Sequence, residues 1–151
     1  MLLYIIVGNF HNVKIVGGTS AGKTYLSCSS NGFVDLFGRD DGSGRQRWLF
    51  IPLPSKKPNT YNIKVWSGTD PGESYLSSTA GGKVDLYDRD DGSGRQQWVL
   101  QHLGDNVYNI KISGGTNSGE TYLSVPSTGK FVDLFSSDDN SGRQKWIIES
   151  E

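Results

Sequence analysis

One unit is written three times along this chain of 151 residues, and a chain that repeats itself folds as copies of one motif packed against each other. The segment from His11 to Trp48 returns from Tyr61 to Trp98 and again from Tyr108 to Trp146. Each copy closes on Gln-x-Trp, with the glutamines at Gln46, Gln96 and Gln144, 50 and then 48 residues apart. The repeats occupy about 8–52, 59–103 and 106–149, which fills the chain and leaves one domain over 1–151. That length suits one hydrophobic core and not two.

Each copy reads as four short strands, which in the first run from Val13 to Val16, Tyr25 to Cys28, Phe33 to Phe37 and Gln46 to Phe50. Their separators are rich in Gly, Ser, Asp and Asn, the residues that make turns. No stretch sustains a period of 3.6, and 20 glycines favour tight turns over helices. In the third strand, alternation sends Val34 and Leu36 one way and Asp35 and Phe37 the other. The same parity recurs from Val84 to Tyr87 and from Val132 to Phe135. In the fourth strand Trp48 shares a face with Gln46 and Phe50, so the tryptophan is expected in the core and Arg47 in water. Three units of four strands predict an all-β fold, a β-trefoil with pseudo-threefold symmetry. Three propeller blades would be too few to close a ring.

The apolar run from Leu2 to Val7 reads as a further strand. It is far too short to span a bilayer, and it lacks the preceding positive charge and small-residue cleavage site of a signal peptide. Membrane insertion is therefore not expected, and the protein is expected to be cytoplasmic or released without a signal peptide. Lys and Arg number 15 against 16 Asp and Glu, so no concentrated basic surface points to nucleic acid. Cys28 is the single cysteine, which leaves packing alone to hold the fold.

Catalysis finds no repeated constellation. His11 and His102 fall at different places in their copies, and Cys28 corresponds to Ser78 and Val125. Neither a threefold metal site nor a repeated nucleophile follows, so no enzyme, metal or cofactor is expected. The run Asp40 to Gly44 lacks the alternating ligands and distal glutamate of a calcium loop. It reads instead as an Asx-type turn whose acids cap backbone amides and offset Arg45.

The three Gln-x-Trp triplets, with Val13 to Gly17 opening the first copy, resemble the ricin B-type β-trefoil lectins over essentially the full length. Within that family the chain is most similar to the galactose-binding lectins of mushroom fruiting bodies. The resemblance implies a non-catalytic, multivalent, hemagglutinating protein with up to three sites for galactose or N-acetylgalactosamine on glycans and glycoproteins. It leaves assembly as a homodimer open. It makes Gln46, Trp48, Gln96, Trp98, Gln144 and Trp146 structural, the tryptophan in the core and the glutamine bracing the turn before it. It places the sugar pockets beside the second and third strands, with an aromatic platform at Phe37, Tyr87 and Phe135. The polar position before Gln-x-Trp, often asparagine in the family, is here Arg45, Arg95 and Arg143. The acidic residue usual on the second strand is replaced by Ser27, Ser77 and Ser124, which leaves Asp35, Asp85 and Asp133 on the third strand as candidates for its role.

Those residue types suit a pyranose, whose hydroxyls both donate and accept and whose C–H groups form one apolar face. A carboxylate accepts hydroxyl protons, a guanidinium donates in a fixed fork, and an aromatic ring covers the apolar face. Aspartate is disfavoured on a strand, so Asp35 is expected to have a compensating role. Tyr25, Tyr75 and Tyr122 are expected to pack between strands. Two other functions fit the same fold: a protease inhibitor acting through the loop from Pro52 to Pro58, and a trefoil that recognises protein through one large surface. Near identity of the copies at the candidate positions favours three equivalent sites over either.

Overall fold

A computed structural model describes residues 9–20, 22–70, 72–117 and 119–150, so the run from Leu2 to Val7 lies outside the described residues. Among the described residues there are twelve strands and no helix. The first repeat contributes β1 (Phe10–Ile15), β2 (Tyr25–Cys28), β3 (Val34–Phe37) and β4 (Trp48–Pro52). The second contributes β5 (Thr60–Val65), β6 (Tyr75–Ser78), β7 (Val84–Tyr87) and β8 (Trp98–Gly104). The third contributes β9 (Val107–Ile112), β10 (Tyr122–Ser124), β11 (Asp133–Phe135) and β12 (Trp146–Ser150).

The first and last strands of the repeats pair antiparallel in the order β1, β4, β5, β8, β9, β12 and back to β1, which closes a six-stranded barrel. Closure leaves the barrel without an edge strand. The middle strands form three hairpins, β2 with β3, β6 with β7 and β10 with β11, each tied to the barrel by a single register pair. This is the β-trefoil that the threefold repetition predicts.

Trp48, Trp98 and Trp146 are fully buried, and each indole Nε1 donates to the carbonyl of a hairpin leucine, Leu26, Leu76 or Leu123, at 2.8–2.9 Å. Each ring thus fills the barrel core and pins a hairpin onto it. Burying roughly 200 Å² of indole is worth about 5 kcal/mol of transfer free energy. The same alternation that buries Val34 and Leu36 leaves Asp35 and Phe37 half-buried on the other face, and it recurs in β7.

Three strands of the first repeat start elsewhere than expected, and β1 and β4 also end elsewhere, at Ile15 and Pro52. The fourth strand begins at Trp48 and not Gln46, because Arg47 N–H closes a turn onto the Gly44 carbonyl. The first begins earlier, at Phe10, whose register partner is Leu49. The third begins at Val34, one residue late, because Phe33 closes the hairpin turn onto Ser29. Arg47 is not simply solvated: it pairs with Asp40 at 2.9 Å and lies 4.6 Å over the Phe10 ring. Tyr25, Tyr75 and Tyr122 are only half-buried, and each lies 4.8–5.4 Å beneath the ammonium of Lys14, Lys64 or Lys111 on the adjoining strand.

Candidate functional site

Each repeat builds a polar bracket from five side chains. Gln46 Nε2 donates to Ser27 Oγ at 2.9 Å, and its Oε1 accepts the Asp41 N–H at 3.0 Å. Asn12 Nδ2 reaches both the Gln46 carbonyl at 2.8 Å and Asp40 Oδ2 at 3.0 Å. Asp40 and Asp41 then accept the amides of Gly42 and Ser43 through their Oδ1 atoms. The second repeat reproduces this bracket with Gln96, Ser77, Asn62, Asp90 and Asp91. The third uses Gln144, Ser124, Asn109, Asp138 and Asp139. The acidic pair therefore forms the Asx turn expected of it, and the glutamine braces that turn to the second strand. The asparagine clamp was not anticipated. Its signal lay in the sequence as an asparagine recurring inside the first strand of each copy, where that residue is disfavoured.

The charges in the bracket are satisfied. Burial alone would raise the Asp40 carboxyl, yet hydrogen bonds from Asn12, Arg47 and the Gly42 amide hold it below the ordinary aspartate value. Hydrogen bonds from Ser43 lower Asp41. The equivalent acids of the other two repeats are lowered in the same way.

Beside the bracket lies a cavity of about 240 Å³ lined by Ser27, Asp35, Phe37, Arg45, Gln46 and the hairpin serines Ser29 and Ser30. All four first-repeat candidates thus meet in one place. Register explains it, since Ser27 pairs directly with Asp35 across the β2–β3 ladder and Tyr25 with Phe37. The second repeat has a matching cavity of about 230 Å³, which holds Ser77, Asp85, Tyr87 and Arg95. In the third, Ser124 pairs with Asp133 and Tyr122 with Phe135, while the Arg143 N–H bonds Ser141 Oγ just as Arg45 and Arg95 bond Ser43 and Ser93. Gln46 and Gln96 border the cavities, but both ends of each amide are already engaged.

The third-strand carboxylates contrast with those of the bracket. Oδ1 of Asp35, of Asp85 and of Asp133 is enclosed and has no hydrogen-bond partner. Burial raises all three carboxyls above the ordinary aspartate value, against the opposing pull of the neighbouring serine hydroxyl. Arg45 stands 3.6 Å from Asp41 and donates weakly to the Gly68 carbonyl of the next repeat, at 3.4 Å. Its stem packs against Gly68, where a Cβ would come within 2.7 Å of Arg45 Cγ and where φ is +96°. Gly115 and Gly18 receive Arg95 and Arg143 in the same manner.

The aromatic position varies. Arg39 lies 5.9 Å over Phe37 and Arg89 lies 5.6 Å over Tyr87, whereas Phe135 is followed by Ser136 and Ser137. Cys28 borders the first cavity, but burial pushes its thiol up to about 12, so it stays neutral and a poor nucleophile. No group of three metal-ligating side chains is present among the described residues, and no helix there is long and apolar enough to cross a membrane. The loop from Pro52 to Pro58 is closed by Leu53 N–H to the Thr60 carbonyl and Lys56 N–H to the Leu53 carbonyl.

No protein-family model matches the chain. No curated protein matches it either. Solved structures do. The designed threefold-symmetric protein ThreeFoil is similar with a TM-score of 0.66 and 22% identity, over 93% of this chain and 97% of that one. A lectin of Polyporus squamosus, solved with a human-type influenza-binding sialylated epitope, matches with a TM-score of 0.66 and 17% identity, over 97% of this chain and 50% of its own. SeviL, solved with the asialo-GM1 saccharide, matches with a TM-score of 0.62 and 15% identity, over 93% of this chain and 95% of its own. Other similar structures are longer proteins of which this chain spans half or less. At these identities the likeness establishes the trefoil fold.

Proposed function

We propose that this protein is a non-catalytic lectin that binds galactose or N-acetylgalactosamine residues of glycans through up to three equivalent pockets and agglutinates through multivalency. The observation that carries the reading is the threefold recurrence of a half-buried aspartate with an unpartnered oxygen, in a chain whose other repeated acids are saturated by hydrogen bonds. A buried acceptor without a partner is costly, and a ligand hydroxyl is what would relieve it. Arginine and an aromatic ring border the same cavities, which completes the set of groups a pyranose needs. Axial O4 leaves galactose a continuous apolar patch to lay on the ring.

Two of the similar structures hold glycans, which fits the reading without fixing the sugar. The pockets beside the first and second brackets each have one carboxylate in their lining, whereas glycoside hydrolysis uses a pair. Shallow pockets of this kind bind at about millimolar to tens of micromolar, or about −4 to −7 kcal/mol. Three on one body tighten attachment to a cell surface through avidity. Isothermal titration with lactose is expected to give about three weak sites per chain, and a glycan array to mark terminal galactosides. A flat titration with every galactoside together with a blank array would overturn the proposal.

A further inference from the structure

A larger cavity, about 560 Å³, opens where the three hairpins meet and is lined from all three repeats. Its floor is threefold, made of Val34, Val84 and Val132, all nearly fully buried. Its walls break the symmetry. Phe33 and Phe131 occupy equivalent hairpin positions and stand 65% and 52% exposed, while the third such position is Lys83. The third hairpin also carries one extra residue, Lys130, at the rim. Exposing two phenylalanines around an apolar floor is unfavourable in water unless something apolar is received there.

The cavity is not isolated from the sugar pockets. Asp35 and Ser29 line both it and the first-repeat pocket, so the two spaces lie on either side of the same two residues. Asp133 borders it from the third repeat, whereas Asp85 and the second-repeat pocket do not. We infer that the axial cavity is a subsite for an apolar alkyl chain carried on a sugar held in the pocket of Asp35, so that the preferred ligands are glycosides with an apolar aglycone. The inference rests on the sugar reading above. Lys83 and Lys130 are exposed and border the apolar space, as long cationic side chains do when the stem covers apolar surface and the charge stays in water.

Titrating the intact protein with methyl galactoside and with octyl galactoside, both anomers of each and below the micellar concentration, tests it. At least one octyl anomer is expected to bind about tenfold or more tighter than its methyl counterpart, because each methylene taken from water adds to the affinity. In the double variant Phe33→Ser, Phe131→Ser that gain is expected to vanish while methyl galactoside binds as before. Both positions are largely exposed, so folding should survive, and the native comparison stands without the variant. Asp85→Asn, which disables the second-repeat pocket alone, is expected to leave the octyl gain intact. Equal affinity for octyl and methyl glycosides in the native protein would overturn the inference and leave the lectin reading standing. So would an octyl gain that survives the double serine variant or disappears with Asp85→Asn. Failure of every galactoside to bind would instead remove the sugar reading, and this one with it.

Discussion

Asp40 and Asp35 belong to the same repeat and carry the same side chain, yet the fold treats them in opposite ways. Asp40 accepts from Asn12, Arg47 and the Gly42 amide, and its carboxyl is held low. Asp35 is half-buried with one oxygen unpartnered, and its carboxyl is pushed up. Three repeats reproduce the contrast. Where every donor is matched, the acid holds a turn and strengthens the fold. Where a partner is withheld, the fold bears a cost that a hydrogen-bond donor entering the cavity would relieve.

The comparison can be broken most forcefully from the bracket side. Gln96→Ala leaves Ser77 Oγ and the Asp91 N–H without their partner, and is expected to cost about 1 to 3 kcal/mol. In a chain of this size that lowers the thermal midpoint by roughly 2 to 4 °C per kcal/mol, readable by calorimetry. A midpoint that does not move would show the bracket to be ornamental. Gly68→Ala attacks the same region from the next repeat, since its Cβ would meet the Arg45 stem at a φ of +96°. It is expected to cost about 1 to 2 kcal/mol of strain and to weaken the first-repeat pocket by displacing Arg45.

Substitution on the pocket side should have the opposite sign. Asp85→Asn removes an underpartnered, half-buried charge, so stability is expected to hold or rise, by about 1 kcal/mol or less, with the midpoint following it. Lactose stoichiometry should at the same time fall by one site. A clear loss of stability with all sites retained would make Asp85 a structural residue like Asp90.

The smallest effect is in the pH dependence of that variant. A carboxyl whose folded value lies above its unfolded value costs stability when ionised, and the cost fades as pH falls through the folded value. The advantage of Asp85→Asn over the native protein is therefore expected to shrink by a few tenths of a kcal/mol between neutral pH and about pH 4. Native sugar binding should weaken over the same range, above the point where an ordinary aspartate titrates. Comparing variant with native protein cancels the contribution of His11. That ring is lowered by burial, so it withdraws stability as pH falls below its unfolded value of 6.5.

Much of this was legible in the sequence because it is repeated. Gln-x-Trp located the core tryptophans, and period-two alternation separated Val34 and Leu36 from Asp35 and Phe37 before any pairing was known. The grouping of Ser27, Asp35, Phe37 and Arg45 needed only that β2 and β3 be a hairpin. The asparagine clamp escaped because it joins the first strand to a turn late in the same repeat, a pairing no local pattern displays. The axial cavity escaped for the opposite reason. It depends on positions where the copies disagree, Phe33, Lys83 and Phe131, and comparison of repeats discards such positions as variation.

Each repeat offers an arginine at one end and a glycine at the other, and the arginine of one repeat rests on the glycine of the next. Arg143 returns to Gly18, so the last joint is the same as the first two. A head-to-tail series of this kind closes on itself after three members, as a cyclic trimer does. A permuted chain opened within the loop from Pro52 to Pro58 would meet the same three joints. A single repeat made alone would carry both halves of the joint, one arginine and one glycine.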